Sequence, residues 1–134
     1  MQFYNTEITR KTAPYVIAEI GHNHQGNFEK AKELITLAKW AGADCVKFQK
    51  KDVENLYTKK MLNSSYDTPD SFAVMYGDHK RYLELTEDQM GGLKSYAEQI
   101  GIDFLCTAFD FKSADFVQDI GVQGFKIGSC DLVN

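Results

Sequence analysis

The stretch Ala41-Gly42-Ala43-Asp44-Cys45-Val46-Lys47-Phe48-Gln49 joins the end of one helical pattern to the start of a strand. Upstream of it, Phe28, Ala31, Leu34, Ile35 and Ala38 recur at helical spacing behind Asn27, a residue suited to an N-cap. Gly42 then suits the left-handed residue that closes such a helix. Within the strand, Cys45, Lys47 and Gln49 share one face, and Val46 and Phe48 share the other. A helix closed by glycine and followed at once by a strand is the unit from which parallel sheets are built.

The same unit recurs on both sides. Residues 15–20, 103–107 and 124–127 are short apolar segments bounded by turn residues and read as three more strands. A helix over 86–100 opens with Thr86 and Gln89 as a capping box, with Leu85 positioned to staple onto Met90. Its interior Gly91 and Gly92 each weaken it by roughly 1 kcal/mol relative to alanine, so packing must compensate. A shorter helix over 112–120 precedes Gly121. Alternating strands and helices imply parallel strands joined by right-handed crossovers. Repeats of about 25–30 residues fit a TIM barrel, with a doubly wound sheet as the alternative. No GxGxxG or P-loop follows a strand, which disfavours the nucleotide-binding version of the latter. Since a complete barrel takes about 250 residues, the expectation is the N-terminal half of a (β/α)8 barrel. On this reading residues 1–134 are one partial domain, truncated after the fourth strand.

Composition narrows the field. With 43% hydrophobic and 25% charged residues the chain is neither disordered nor membranous, and no apolar run approaches the roughly 20 residues of a bilayer span. A net charge of −4 without a basic stripe argues against nucleic acid as a partner. The first residues lack the basic and apolar regions of a secretory signal. Cys45, Cys106 and Cys130 lack CxxC spacing and are odd in number, so they read as buried, reduced thiols of a cytoplasmic protein. Residues 50–85 form a long polar segment rich in tyrosine, expected as a lid over a site or as a mobile surface excursion.

The inward faces hold the chemistry. Ile17 and Glu19 oppose Val16, Ala18 and Ile20; Leu105 and Thr107 oppose Phe104 and Cys106; Lys126 opposes Phe125 and Ile127. Each strand thus has an apolar outer face for helices and ends in a polar group facing inward. An ammonium is a poor strand residue unless something anionic receives it. At the C-terminal rim of parallel strands, Glu19, Lys47, Gln49, Thr107, Lys126, Ser129 and Asp131 would meet, a set suited to a phosphate or carboxylate of a small metabolite. The alternative is a structural ion network of Lys47 and Lys126 with Glu19 and Asp131. Asn23 and His24, just after the first strand, are expected to shape that loop or touch substrate. The His22-Asn23-His24 spacing is weak for a metal.

Several ordered motifs resemble the sialic acid synthase family. They are Ala18-Glu19-Ile20-Gly21 with Asn23-His24-Gln25-Gly26, Ala41 to Gln49 as quoted above, Tyr76-Gly77-Asp78-His79-Lys80-Arg81, Thr107-Ala108-Phe109-Asp110, and Phe125-Lys126-Ile127-Gly128-Ser129. The resemblance implies the N-terminal part of a TIM-barrel catalytic domain, with the second half-barrel and an antifreeze-like domain absent from this chain. It implies condensation of phosphoenolpyruvate with N-acetylmannosamine or its 6-phosphate. Legionaminate or pseudaminate synthesis is the alternative within the family, and a non-catalytic anion-binding half-barrel the alternative outside it. Carried over by motif, Lys47, Thr107, Lys126 and Ser129 contact phosphoenolpyruvate, and Glu19, Gln49 and Asp131 handle the sugar and the proton traffic, with Glu19 and Asp131 as the catalytic pair. The resemblance also implies a homodimer at full length. It implies a divalent metal, manganese or magnesium, whose ligands lie in the second half of the barrel and not in this chain. Two positions depart from the family pattern: Cys130 stands where glycine is usual, and Ala108 where proline is common.

Overall fold

The computed structural model describes residues 1–133. In chain order the elements are β1 (Gln2–Phe3), β2 (Thr6–Glu7), β3 (Ile17–Gly21), α1 (Phe28–Trp40), β4 (Cys45–Lys50), α2 (Val53–Leu56), α3 (Lys59–Leu62), α4 (Tyr76–Leu83), α5 (Glu87–Ile100), β5 (Asp103–Ala108), α6 (Phe111–Asp119) and β6 (Phe125–Ile127). The fold is α/β. Its main sheet is parallel, with strands in the order β3-β4-β5-β6, and β1 and β2 form a separate antiparallel hairpin. Strand order follows chain order, so the described sheet has no switch point of the doubly wound kind.

The expected strands and long helices are present, displaced by a residue or two at their ends. Local chemistry accounts for the helix starts. Asn27 accepts from the Lys30 amide to open α1. Thr86 and Gln89 form the capping box of α5, and Asp110 accepts from the Ser113 amide to open α6. Gly101 closes α5 at φ 72°. Gly92 has a packing reason, because a side chain there would start 3.4 Å from the Phe28 ring of α1.

The core lies between these helices and the outer face of the sheet. Ala31 and Ile35 of α1, Met90, Leu93 and Ala97 of α5, and Val117 of α6 meet Val46, Phe48, Phe104 and Cys106. The Phe48 and Phe104 rings stack with centroids 5.2 Å apart. The outward set matches the alternation for β3, β4 and β5. It differs at β6, where Phe125 is 47% and Ile127 61% exposed because no helix covers that strand among the described residues. Cys130 is also exposed, in the turn after β6, whereas Cys45 and Cys106 are buried as expected. Burial pushes the Cys45 and Cys106 thiols up to about 12.

Two features were not anticipated. The β1–β2 hairpin folds under the sheet, with Phe3, Tyr4 and Tyr15 against the core. Phe3 fills the inner face near the strand starts, so a side chain at Gly124 would lie 3.2 Å from its ring and 3.3 Å from Leu105. Residues 50–85 are not a bare loop either. They contain three helices and a Ser65–Met75 bridge, held by a run of aromatic contacts. Tyr66 lies 5.3 Å from Tyr76 and 4.6 Å from His79, and Phe72 stacks on Tyr82 at 4.8 Å. His79 is buried and accepts from the Phe72 amide. No described helix is long and apolar enough to cross a membrane.

Candidate functional site

Parallel pairing carries side chains of matched residues to the same face. The register pairs Glu19 with Lys47 and Lys47 with Leu105. One pleat further along, it pairs Gln49 with Thr107 and Thr107 with Lys126. Two rows therefore run across the inner face toward the C-terminal rim: Glu19–Lys47, then Gln49–Thr107–Lys126. Lys47 and Lys126 stand two strands apart on this face, about 10 Å across the sheet.

Glu19 and Lys47 form an ion pair, with the Lys47 side chain 14% exposed and that of Glu19 48%. Gly21 ends β3 at φ 53° and leaves open the space that both neighbours use. A side chain there would start 3.2 Å from Glu19 Oε1 and 3.3 Å from Gln49 Nε2. Thr107 is 2% exposed, yet its hydroxyl has no hydrogen-bond partner. A buried hydroxyl without a partner is costly, by about 1–3 kcal/mol, and between Gln49 and Lys126 it is placed to meet a polar group entering the face. Lys126 is exposed at the edge of the sheet.

The remaining expected residues stand outside these rows. The Asn23 amide and side-chain Nδ2 both donate to the Ile20 carbonyl at 2.9 Å, so Asn23 shapes the turn after β3. Ser129 is exposed in the turn after β6. Asp131 folds back in that turn, with its amide donating to Gly128 O at 3.0 Å and its Oδ2 3.5 Å from Cys130 Sγ. A side chain at Gly128 would start 3.0 Å from that carboxylate, which leaves Asp131 above Gly128 rather than beside Glu19.

Two residues escaped the sequence reading. Lys51 extends the alternation of Lys47 and Gln49 by one step; its Nζ donates to Gln49 Oε1 at 3.0 Å and lies 4.4 Å from the centre of the Phe109 ring. Burial holds its ammonium below the usual lysine range. Its parity with Lys47 and Gln49 was the available signal. Glu84, the C-cap residue of α4, gave none. Its carboxylate lies 3.2 Å from His22 Nε2 and 3.6 Å from Lys50 Nζ, and it accepts from the Lys51 amide at 3.2 Å. Glu84 thereby ties the end of the long excursion to the ends of β3 and β4.

The histidines do not form a metal centre. His24 is 1% exposed with Nδ1 accepting from the Gly26 amide, and burial lowers its pKa to about 4. His22 faces Glu84. Among the described residues no group of three or more His, Cys, Asp or Glu side chains is arranged to hold a metal ion.

Comparison with known proteins places this arrangement in a family. The NeuB family model matches residues 34–134. Over 120 residues the chain is 44% identical to the N-acetylneuraminate-9-phosphate synthase of Mus musculus, an alignment covering 90% of this chain and 33% of the relative. It is 38% identical over 123 residues to the N,N'-diacetyllegionaminic acid synthase of Legionella pneumophila, covering 90% and 34%. The chain thus spans about a third of the length of these curated relatives. The crystal structure of an N-acetylneuraminic acid (sialic acid) synthetase from Leptospira borgpetersenii, in complex with citrate, superposes with a TM-score of 0.78 at 25% identity. That match covers 98% of this chain and 41% of the other. On the family match and these identities, the chain belongs to the NeuB family.

Proposed function

We propose that this chain forms the anion-binding half of a (β/α)8 barrel in a sialic acid synthase. The reaction joins phosphoenolpyruvate to N-acetylmannosamine or its 6-phosphate and releases inorganic phosphate. The observation that carries the reading is the buried, unpartnered Thr107 hydroxyl flanked in register by Gln49 and Lys126, one pleat above the Glu19–Lys47 pair. Identity of 44% to an N-acetylneuraminate-9-phosphate synthase, against 38% to a legionaminic acid synthase, favours the neuraminate branch.

In this mechanism Lys47 and Lys126 receive the phosphate and carboxylate of phosphoenolpyruvate. Lys47 has three N–H donors, so it keeps Glu19 while adding a substrate oxygen. Thr107 and Ser129 donate hydroxyl hydrogen bonds to the same anionic groups. These contacts hold charge present from the start of the reaction, so they bind and orient more than they lower the barrier. The methylene carbon of phosphoenolpyruvate bonds to the aldehyde carbon of the open-chain sugar, water adds at the enol carbon, and the C–O bond to phosphate breaks. Glu19, ion-paired and half exposed at the rim, takes the proton that the added water loses and passes it to the aldehyde oxygen, which becomes the new hydroxyl. Asp131 stands by at the β6 turn as the second carboxylate. No step is routed through a metal, whose ligands the resemblance places outside this chain.

The test is Lys126→Ala in the protein that carries these residues at full length. Loss of a charge-assisted contact should raise the KM for phosphoenolpyruvate about 100-fold. Near-normal kinetics would overturn the assignment. Product analysis with several N-acylated sugars, phosphorylated and not, separates the branches of the family.

A further inference from the structure

We propose that Lys51 is a positioning residue that orients the Gln49 carboxamide, making Gln49 a hydrogen-bond donor toward the Glu19 side of the rim. A lysine ammonium only donates. The contact of Lys51 Nζ with Gln49 Oε1 at 3.0 Å therefore assigns the oxygen end of the carboxamide to Lys51. The nitrogen end then points the other way, to the space over Gly21, where Gln49 Nε2 and Glu19 Oε1 lie within 3.2 to 3.3 Å of one shared point. Gln49 thus presents N–H groups beside a carboxylate, where they meet either that carboxylate or an oxygen of a bound ligand.

Lys51 itself is anchored for this task. Its ammonium sits over the Phe109 ring, and its backbone amide donates to Glu84 Oε2. Among the described residues no carboxylate lies within ion-pair distance of its Nζ, so Gln49 Oε1 is the oxygen it serves. Without Lys51, the carboxamide loses the donor that holds its oxygen end and is no longer fixed in one orientation.

The inference rests on the proposed reaction, in which the resemblance gives Gln49 to the sugar. Two readouts keep it separable from that reading. The first needs no catalysis: in the 134-residue chain with labelled glutamine, the Gln49 side-chain amide resonances should shift in Lys51→Met and return toward their original positions in Lys51→Arg. Unchanged resonances in Lys51→Met would overturn the proposal. Should Lys51→Met fail to fold, Gln49→Leu reads the same pair from the other end, since the Lys51 Cε resonance should then move; an unmoved Cε resonance would equally overturn it. The second readout is kinetic, at full length. Lys51→Met should raise the sugar KM about tenfold, the scale of one lost hydrogen bond, with the KM for phosphoenolpyruvate unchanged. That effect should vanish in a Gln49→Ala background; additive effects would overturn the proposal. If the unaltered protein turns over no sugar while the resonances behave as described, the reaction assignment fails and the positioning role of Lys51 stands.

Discussion

His24 and Thr107 are buried to the same degree and are read in opposite ways. Thr107 Oγ1 and His24 Nε2 are both buried without a hydrogen-bond partner, but Thr107 faces the inner side of the sheet, whereas His24 lies in the loop after β3, against Phe48 and the Gly26 amide. The charged form of His24 is disfavoured first by burial and then by the His22 ring beside it and by Lys30, with Glu84 opposing. Its pKa falls from 6.5 to about 4 on folding. Between those values the unfolded chain binds more protons than the folded one, so stability is full above about pH 6.5 and declines as pH falls toward 4. The loss is on the order of 3 kcal/mol, and His79, also lowered by burial, adds in the same direction. Urea midpoints measured from pH 7 to pH 4.5 should fall more steeply for the unaltered chain than for His24→Gln. Parallel curves would remove His24 as the cause.

At the scale of elements, a close approach at Gly26 helps to dock the long excursion. A side chain at Gly26, which sits at φ 72°, would start 2.0 Å from the Tyr82 carbonyl of α4. That contact, together with the Glu84 carboxylate, docks α4 on the loop between β3 and α1. Gly26→Ala should therefore cost at least about 3 kcal/mol, combining left-handed strain with displacement of backbone. The loss should concentrate in residues 50–85, read as faster amide exchange there than in α1 and α5. Uniform loss of protection would mean the excursion unfolds only with the rest. The caps of α1 and α5 were legible in sequence because each is made by residues within four positions of one another; the Asp110 cap of α6 came only with the structure. The helices α2, α3 and α4 were not. Two of them are single turns, and α4 is held by aromatic contacts among residues distant in the segment.

For the molecule as a whole, one face of the sheet is buried under helices and the other presents charge. If that face takes an enolpyruvyl phosphate, the ligand stabilises the folded chain by about 2.7 kcal/mol at a hundred times its Kd. The melting temperature should then rise by about 10 °C. The rise should disappear in Lys47→Met, and no rise with phosphoenolpyruvate in the unaltered chain would argue against binding by this half alone.

The alternation of residue types by itself determined the parallel α/β arrangement, the helices α1, α5 and α6, and the facing of Glu19, Lys47, Gln49, Thr107 and Lys126, because side-chain direction has a period of two in a strand and 3.6 in a helix. Only the tertiary structure decided the register that lines up Gln49, Thr107 and Lys126, the hairpin that fills the floor with Phe3, and the contacts that Lys51 and Glu84 make. Those features join residues far apart in the chain through packing and hydrogen bonding in three dimensions, and no local pattern in the sequence encodes a distance between such partners.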